Sequence, residues 1–231
     1  MRVHGHRGAR GVKPENTLEA FEYAINVGVD GIEMDIAATK DGVPVVSHDP
    51  WLPDGAPIRT LTSPEVRRRA PAIPMLAEVL ALADRGPFLF NVEIKSFPDR
   101  PNLAPAPDDF AAMVLAEVDR RGLGGRVMIQ SFDFRVLHST RRLAPEVARG
   151  ALFEVRGDFV SIAREAEASI AVPEFQLVSR GHVAAAHAAG LEVYTWTPNA
   201  PAEWQTLIET GVDAIITDNP ESLLRWLGTR S

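Results

Sequence analysis

Two short patterns set acidic side chains two positions away from another charged group: Glu33-x-Asp35 and Glu93-x-Lys95. On an extended strand a spacing of two puts both side chains on one face, so each pattern presents its pair in a single direction. His6-Arg7 and His48 accompany them. If Glu33, Asp35 and Glu93 converge, they repel one another unless a cation lies between them. Carboxylate oxygens in a chain with no cysteine suit one hard divalent ion, Mg²⁺ or Ca²⁺, better than zinc. Setting such a dication, Arg7 and Lys95 against the three carboxylates leaves one formal positive charge, the match for one phosphodiester. Imidazoles can transfer protons near neutral pH, a capacity that His6 and His48 would bring to the same place. Each pattern alone has a plainer account, as a rim ion pair or a packing histidine. Their combination at matching heights favours a site.

That combination requires strand ends that meet. β-rich runs are predicted near residues 3–6, 31–36, 88–95, 126–131, 149–153, 170–176, 192–197 and 214–217, and helices over 17–27, 75–83, 108–121, 134–143, 159–168, 182–189, 202–210 and 220–227. Capping residues such as Thr17 and Asp133, and glycines at 28, 122, 190 and 211, mark several helix ends. Eight βα units in series predict a TIM (β/α)8 barrel spanning residues 1–231 as one domain, whose carboxyl strand ends carry the chemistry. A doubly wound open sheet is the rival, but no GxGxxG follows a strand.

One segment breaks the alternation. In IEMDIAATKDGVPVVSHD the Asp41-Gly42 pair predicts a hairpin after the second strand with a two-residue loop. Lys40 would then face Val43, and His48 would return directly opposite Asp35 on the same face.

Other polar residues carry less. His4 is expected one layer deeper as a hydrogen-bonded interior group or a support for the site. His138, His182 and His187 fall on outer helices, and Arg67–Arg69 reads as the wet face of a short helix. Trp51, Trp204 and Trp226 read as packing, Trp196 as a wall of the pocket, and Glu154 and Gln176 as further pocket residues. A formal charge of −7 disfavours nucleic acid and anionic membrane as partners. No run is apolar enough to span a bilayer, which predicts a cytoplasmic protein without stable membrane insertion, and nothing in the sequence specifies an oligomer.

HRGARGVKPENTLEAF, GVDGIEMDIAATKDGVPVVSHD, VEIKS, QSFD, WTPN and GVDAIITDNP, in this order, closely resemble the motifs of the glycerophosphodiester phosphodiesterase family over nearly the whole chain. The resemblance implies a metal-dependent hydrolase that cleaves glycerophosphodiesters, such as glycerophosphocholine or glycerophosphoethanolamine, to glycerol 3-phosphate and an alcohol. It makes Glu33, Asp35 and Glu93 the ligands of one Mg²⁺ or Ca²⁺ and His6 and His48 the acid/base pair. Arg7 and Lys95 would contact the phosphate, and Trp196 the organic part. Gly8 and Gly11 would let the chain turn closely around the anion, and Pro14-Glu15-Asn16-Thr17 would cap the first helix while steadying the site. The chain departs from the family between His48 and the next barrel strand, where residues 50–83 are compact and IPMLAE stands in place of IPTLEE. Two alternatives remain: a phosphodiester lyase releasing a cyclic phosphate, and a non-catalytic barrel that binds phosphodiesters.

Overall fold

Apolar residues alternate with polar or small ones along the barrel strands, and the alternation decides which face packs against helices. In Gly31–Ala38 the side chains of Ile32, Met34 and Ile36 are buried on one face while Glu33 and Asp35 take the other. The computed structural model describes residues 1–229. The last two residues of the span expected as one domain lie outside the described residues.

Nine strands occur among the described residues: β1 Arg2–Gly5, β2 Gly31–Ala38, β3 Pro44–Val46, β4 Leu89–Ile94, β5 Val127–Ser131, β6 Ala148–Phe153, β7 Ile170–Pro173, β8 Glu192–Trp196 and β9 Ala214–Thr217. Eight of them form a closed parallel ring, in the order β1, β2, β4, β5, β6, β7, β8, β9 and back to β1, with β3 antiparallel on the outside of β2. The helices are α1 Leu18–Val27, α2 Ser63–Arg69, α3 Leu76–Leu80, α4 Pro107–Arg120, α5 Phe134–Leu143, α6 Phe159–Glu165, α7 Arg180–Ala188, α8 Pro201–Thr210 and α9 Pro220–Gly228. The expected TIM barrel is the observed fold, and Arg67–Arg69 do lie on a short helix, α2.

Local chemistry explains the boundaries. Thr17 accepts from the Ala20 amide at the start of α1, and Asp133 accepts from the Arg135 amide at the start of α5. β7 stops at Pro173, short of the Gln176 expected from the sequence, although the Glu174 amide still donates to Phe153 O at 3.0 Å. A 3-10 turn at Phe175–Leu177 follows, with Glu174 accepting from the Gln176 amide. The helix expected over 75–83 is α-helical only to Leu80 and then tightens into a 3-10 turn, Ala81–Arg85.

The hairpin corrects one expectation. β2 and β3 pair Ile36 with Val46 and Ala38 with Pro44, and the Thr39 amide donates to Val43 O at 3.1 Å. The loop is therefore Lys40-Asp41-Gly42, three residues, with Gly42 at φ 78° in the left-handed region such loops need. Thr39 makes the longer loop favourable: its hydroxyl accepts from the Val43 amide at 3.0 Å and donates to Asp41. Ser47, not His48, consequently stands opposite Asp35, its amide donating to Asp35 O at 2.9 Å.

The core has two shells. Outside the ring, side chains such as Phe21, Ile32, Phe90, Phe110, Ile129 and Trp204 fill the space between strands and helices. Inside it, Met128, Leu152, Ile170, Val172, Tyr194, Ala214 and Ile216 form the floor under the mouth. The segment after β3 has its own small core of Val45, Leu52, Ile58 and Val66. This core keeps the compact connection beside the hairpin.

His4 lies in the inner shell, fully buried, with its ring edge-on to Tyr194 at 5.4 Å. Neither ring nitrogen finds a hydrogen-bond partner among the described residues, which overturns the expectation of a satisfied histidine. Gly31 pairs beside it because a Cβ there would come within 2.8 Å of the imidazole. Burial, then the charge of Arg2, pushes the His4 pKa down to about 3. The unfolded chain takes up this proton near pH 6.5 and the folded chain does not, so stability is full above that pH and falls as the pH drops toward about 3. Between pH 6.5 and pH 5 wild type is expected to lose roughly 2 kcal/mol more than His4→Leu, as urea unfolding at several pH values would show. Parallel pH profiles for the two proteins would remove this account.

Candidate active site

The parallel register brings the carboxylates together. Asp35 on β2 pairs with Glu93 on β4, and Glu33 lies one layer below on the same inward face, level with Asn91. All three are buried, and each offers an oxygen within 4.8 Å of the others. Three carboxylate oxygens gathered this closely are a donor set that could hold one hard divalent cation.

The first strand contributes the next groups. β1 runs between β2 and β9, so His6 and Arg7 leave its end beside Glu33 and Asp218. His6 Nδ1 lies 2.6 Å from Asp218 Oδ1 and its Nε2 3.9 Å from Glu33 Oε2. A carboxylate only accepts, so the Asp218 contact places a proton on Nδ1 and leaves Nε2 facing the mouth. Asn199 holds Asp218 in turn: its side-chain amide donates to Oδ2 at 2.8 Å, and its carbonyl oxygen accepts from the Asp218 backbone at 2.9 Å.

Arg7 adopts φ 49°, and its amide donates to Glu33 Oε2 at 2.8 Å. Its guanidinium donates to Glu15 at 2.8 Å and stands 3.1 Å from Asp35 as an ion pair. Asn16 grips the same Asp35 oxygen, donating to Oδ2 at 2.8 Å. Glu15 and Asn16 therefore do steady the site. Gly8, at φ 87°, lies so close to α1 that a Cβ would come within 2.7 Å of the Ala20 backbone.

Lys95 donates to Glu93 at 2.6 Å and lies 3.1 Å from Asp35. Burial works against its charge, but Glu93 and Asp35 outweigh it and raise its pKa. Asp35 is likewise held below the usual carboxylate range by Lys95 and Arg7 in spite of its burial. Glu33 has weaker compensation: burial, then repulsion from Asp35 and Glu93, drives its pKa well up. Glu93 is pushed up to about 7, chiefly by burial. Two of three carboxylates thus lack enough positive charge around them, which is the condition a dication would relieve.

His48 reaches this mouth through the turn that follows β3. Its Nδ1 lies 2.9 Å from Asp49 Oδ1, and burial, then the nearby charge of Lys95, lowers its pKa. His6, Arg7, Glu33, His48, Glu93, Lys95 and Trp196 line one cavity of about 300 Å³, together with Gln130, Phe132 and Glu154. That is room for a small organic phosphate. Gln176 is not among its walls, whereas His138, His182 and His187 lie on α5 and α7, as expected. Trp204 and Trp226 pack against each other at 5.9 Å.

Phe132 and the Asp218 contact escaped the sequence reading. A signal for the second existed: in a closed ring the last strand lies beside the first, and pairing Gly5 with Thr217 carries forward to His6 beside Asp218.

The model of the glycerophosphoryl diester phosphodiesterase family matches residues 6–222. The chain belongs to this family. Its enzyme class is accordingly that of a glycerophosphodiester phosphodiesterase, a phosphoric diester hydrolase. A relative from Caldanaerobacter subterraneus subsp. tengcongensis, named glycerophosphodiester phosphodiesterase, is 30% identical, with 96% of each chain covered. The crystal structure of a putative glycerophosphoryl diester phosphodiesterase from Silicibacter pomeroyi superposes with a TM-score of 0.90 at 32% identity, over 100% of this chain and 94% of the other. An Oleispira antarctica phosphodiesterase shares the fold, with a TM-score of 0.86 at 23% identity over 99% and 97% of the two chains. Among the described residues no helix is long and apolar enough to cross a membrane.

Proposed function

We propose that this phosphodiesterase is metal-dependent and hydrolyses glycerophosphodiesters such as glycerophosphocholine and glycerophosphoethanolamine to glycerol 3-phosphate and the free alcohol. The observation that carries the reading is the buried triad of Glu33, Asp35 and Glu93, of which Glu33 and Glu93 are short of positive charge and line the same cavity as two imidazoles. Glu33, Asp35 and Glu93 would hold one Mg²⁺ or Ca²⁺, which when bound supplies Lewis-acid neutralisation of phosphate oxygens. Lys95 and Arg7 add fixed positive charge beside that position, and both are held in place by Asp35 before any substrate arrives. His6 and His48 divide proton removal and proton delivery; both line the cavity, and each has its Nδ1 beside a carboxylate, which leaves Nε2 for proton transfer. Trp196 walls the side that receives the organic group. The reading treats residues 1–231 as one domain working in the cytoplasm.

Chelation tests this directly. Exhaustive treatment with EDTA is expected to abolish release of glycerol 3-phosphate from glycerophosphocholine, and Mg²⁺ or Ca²⁺ to restore it. Full turnover by metal-stripped protein would reject the metal assignment.

A further inference from the structure

The cavity has two unlike halves. Strands β1, β2 and β4 supply the histidine, the carboxylates and the cations, while β5, β6 and β8 supply Phe132, Leu152, Glu154 and Trp196. In the eight-membered ring β6 lies diametrically opposite β1, so Glu154 faces Arg7 across the mouth. Phe132 and Trp196 meet at 88° with ring centres 5.7 Å apart, forming a right-angled aromatic corner. Trp196 is fixed there because its indole N–H donates to Val172 O at 3.0 Å, which leans the ring across β7 toward β6. Phe132 is 45% exposed, high for a phenyl ring that could have packed inward. Glu154 is exposed and has no ion-pair or hydrogen-bond partner among the described residues. An unpaired carboxylate sharing a cavity with an exposed phenyl ring and a half-buried indole is the chemistry that receives an organic cation, since aromatic faces attract ammonium groups that a neutral alcohol cannot offer.

We propose that Phe132, Trp196 and Glu154 form a subsite for a positively charged alcohol, so that the preferred substrates are zwitterionic glycerophosphodiesters carrying a quaternary or primary ammonium. The subsite rests on the phosphodiesterase reading above and adds the charge class of the leaving group. The phosphate sits against the cations of β1 and β4, and the ammonium lies across the mouth at β6. Arg10, the remaining cation of the lining, is on the phosphate side and paired with Glu15 at 3.1 Å, so it does not compete for Glu154.

The test compares kcat/KM for glycerophosphocholine and for glycerophosphoglycerol, which share the glycerophosphate half and differ in the charge of the alcohol, at saturating Mg²⁺ or Ca²⁺. Wild type is expected to favour the choline ester about tenfold. Glu154→Gln is expected to lower that ratio about fivefold, Glu154→Lys to invert it, and Phe132→Leu to lower it about threefold. Raising the salt concentration should narrow the wild-type ratio. Equal turnover of the two esters by wild type, or equal losses on both in the variants, overturns the subsite alone and assigns the aromatic corner to the shared glycerol. Hydrolysis of neither ester by metal-loaded wild type overturns the phosphodiesterase reading and the subsite together.

Discussion

Asp35→Asn is expected to lower kcat/KM for glycerophosphodiesters by about 10³-fold or more while the barrel remains folded. Asp35 is the one carboxylate of the triad that both cations touch, Lys95 at 3.1 Å and Arg7 at 3.1 Å, with Asn16 donating to the oxygen that Arg7 faces. The amide keeps the shape and removes the charge. It then turns an N–H₂ group toward Lys95, Arg7 or Asn16, all of them donors, so the loss extends to the placement of Lys95 and Arg7. Calorimetric titration with Ca²⁺ should show the affinity reduced in step with activity, and circular dichroism should show an unchanged spectrum with a lower but still cooperative melt. Wild-type metal affinity in a variant with wild-type turnover would mean that the triad is a structural ion-pair cluster.

Legibility of this site in the sequence followed from periodicity. Glu33 with Asp35, and Glu93 with Lys95, are spaced by two on parallel strands, and parallel register converts that spacing into a shared layer without further information. The same spacing argument found the barrel, because each βα unit carries its own capping and apolar pattern. Where the reading failed, the deciding contact was a side chain on backbone. The hairpin loop gained a residue because the Thr39 hydroxyl could bridge to Val43 and Asp41, an option that pairing arithmetic does not contain. His4 was expected to be satisfied, yet the inner shell around it is mostly apolar, and only the closed ring shows which side chains face it. Phe132 followed the same rule as Lys95, two residues past an inward polar residue on its strand. An aromatic at that position reads as core until the mouth is seen to be open.

His6→Ala and His48→Ala should each cost about 10²- to 10⁴-fold in kcat, the range for loss of one positioned acid or base. The two differ in their effect on stability. His48 sits on an open turn, and its removal leaves only exposed Asp49 without a partner, so the melt should be unchanged. Removal of His6 strips the 2.6 Å contact from Asp218, whose burial opposes its charge and which His6 and Asn199 hold below the usual carboxylate range. A partly buried carboxylate near the acidic triad would then depend on Asn199 and the charge of Arg10, and a loss of about 1–3 kcal/mol in stability is expected. Acid and base roles separate in the pH dependence: wild type should give a bell-shaped kcat/KM profile, and each variant should lose a different limb. Residues that merely pack against the mouth would lower the whole curve without changing its shape. An unaltered bell in either alanine variant would therefore take that histidine out of proton transfer, whatever its effect on rate.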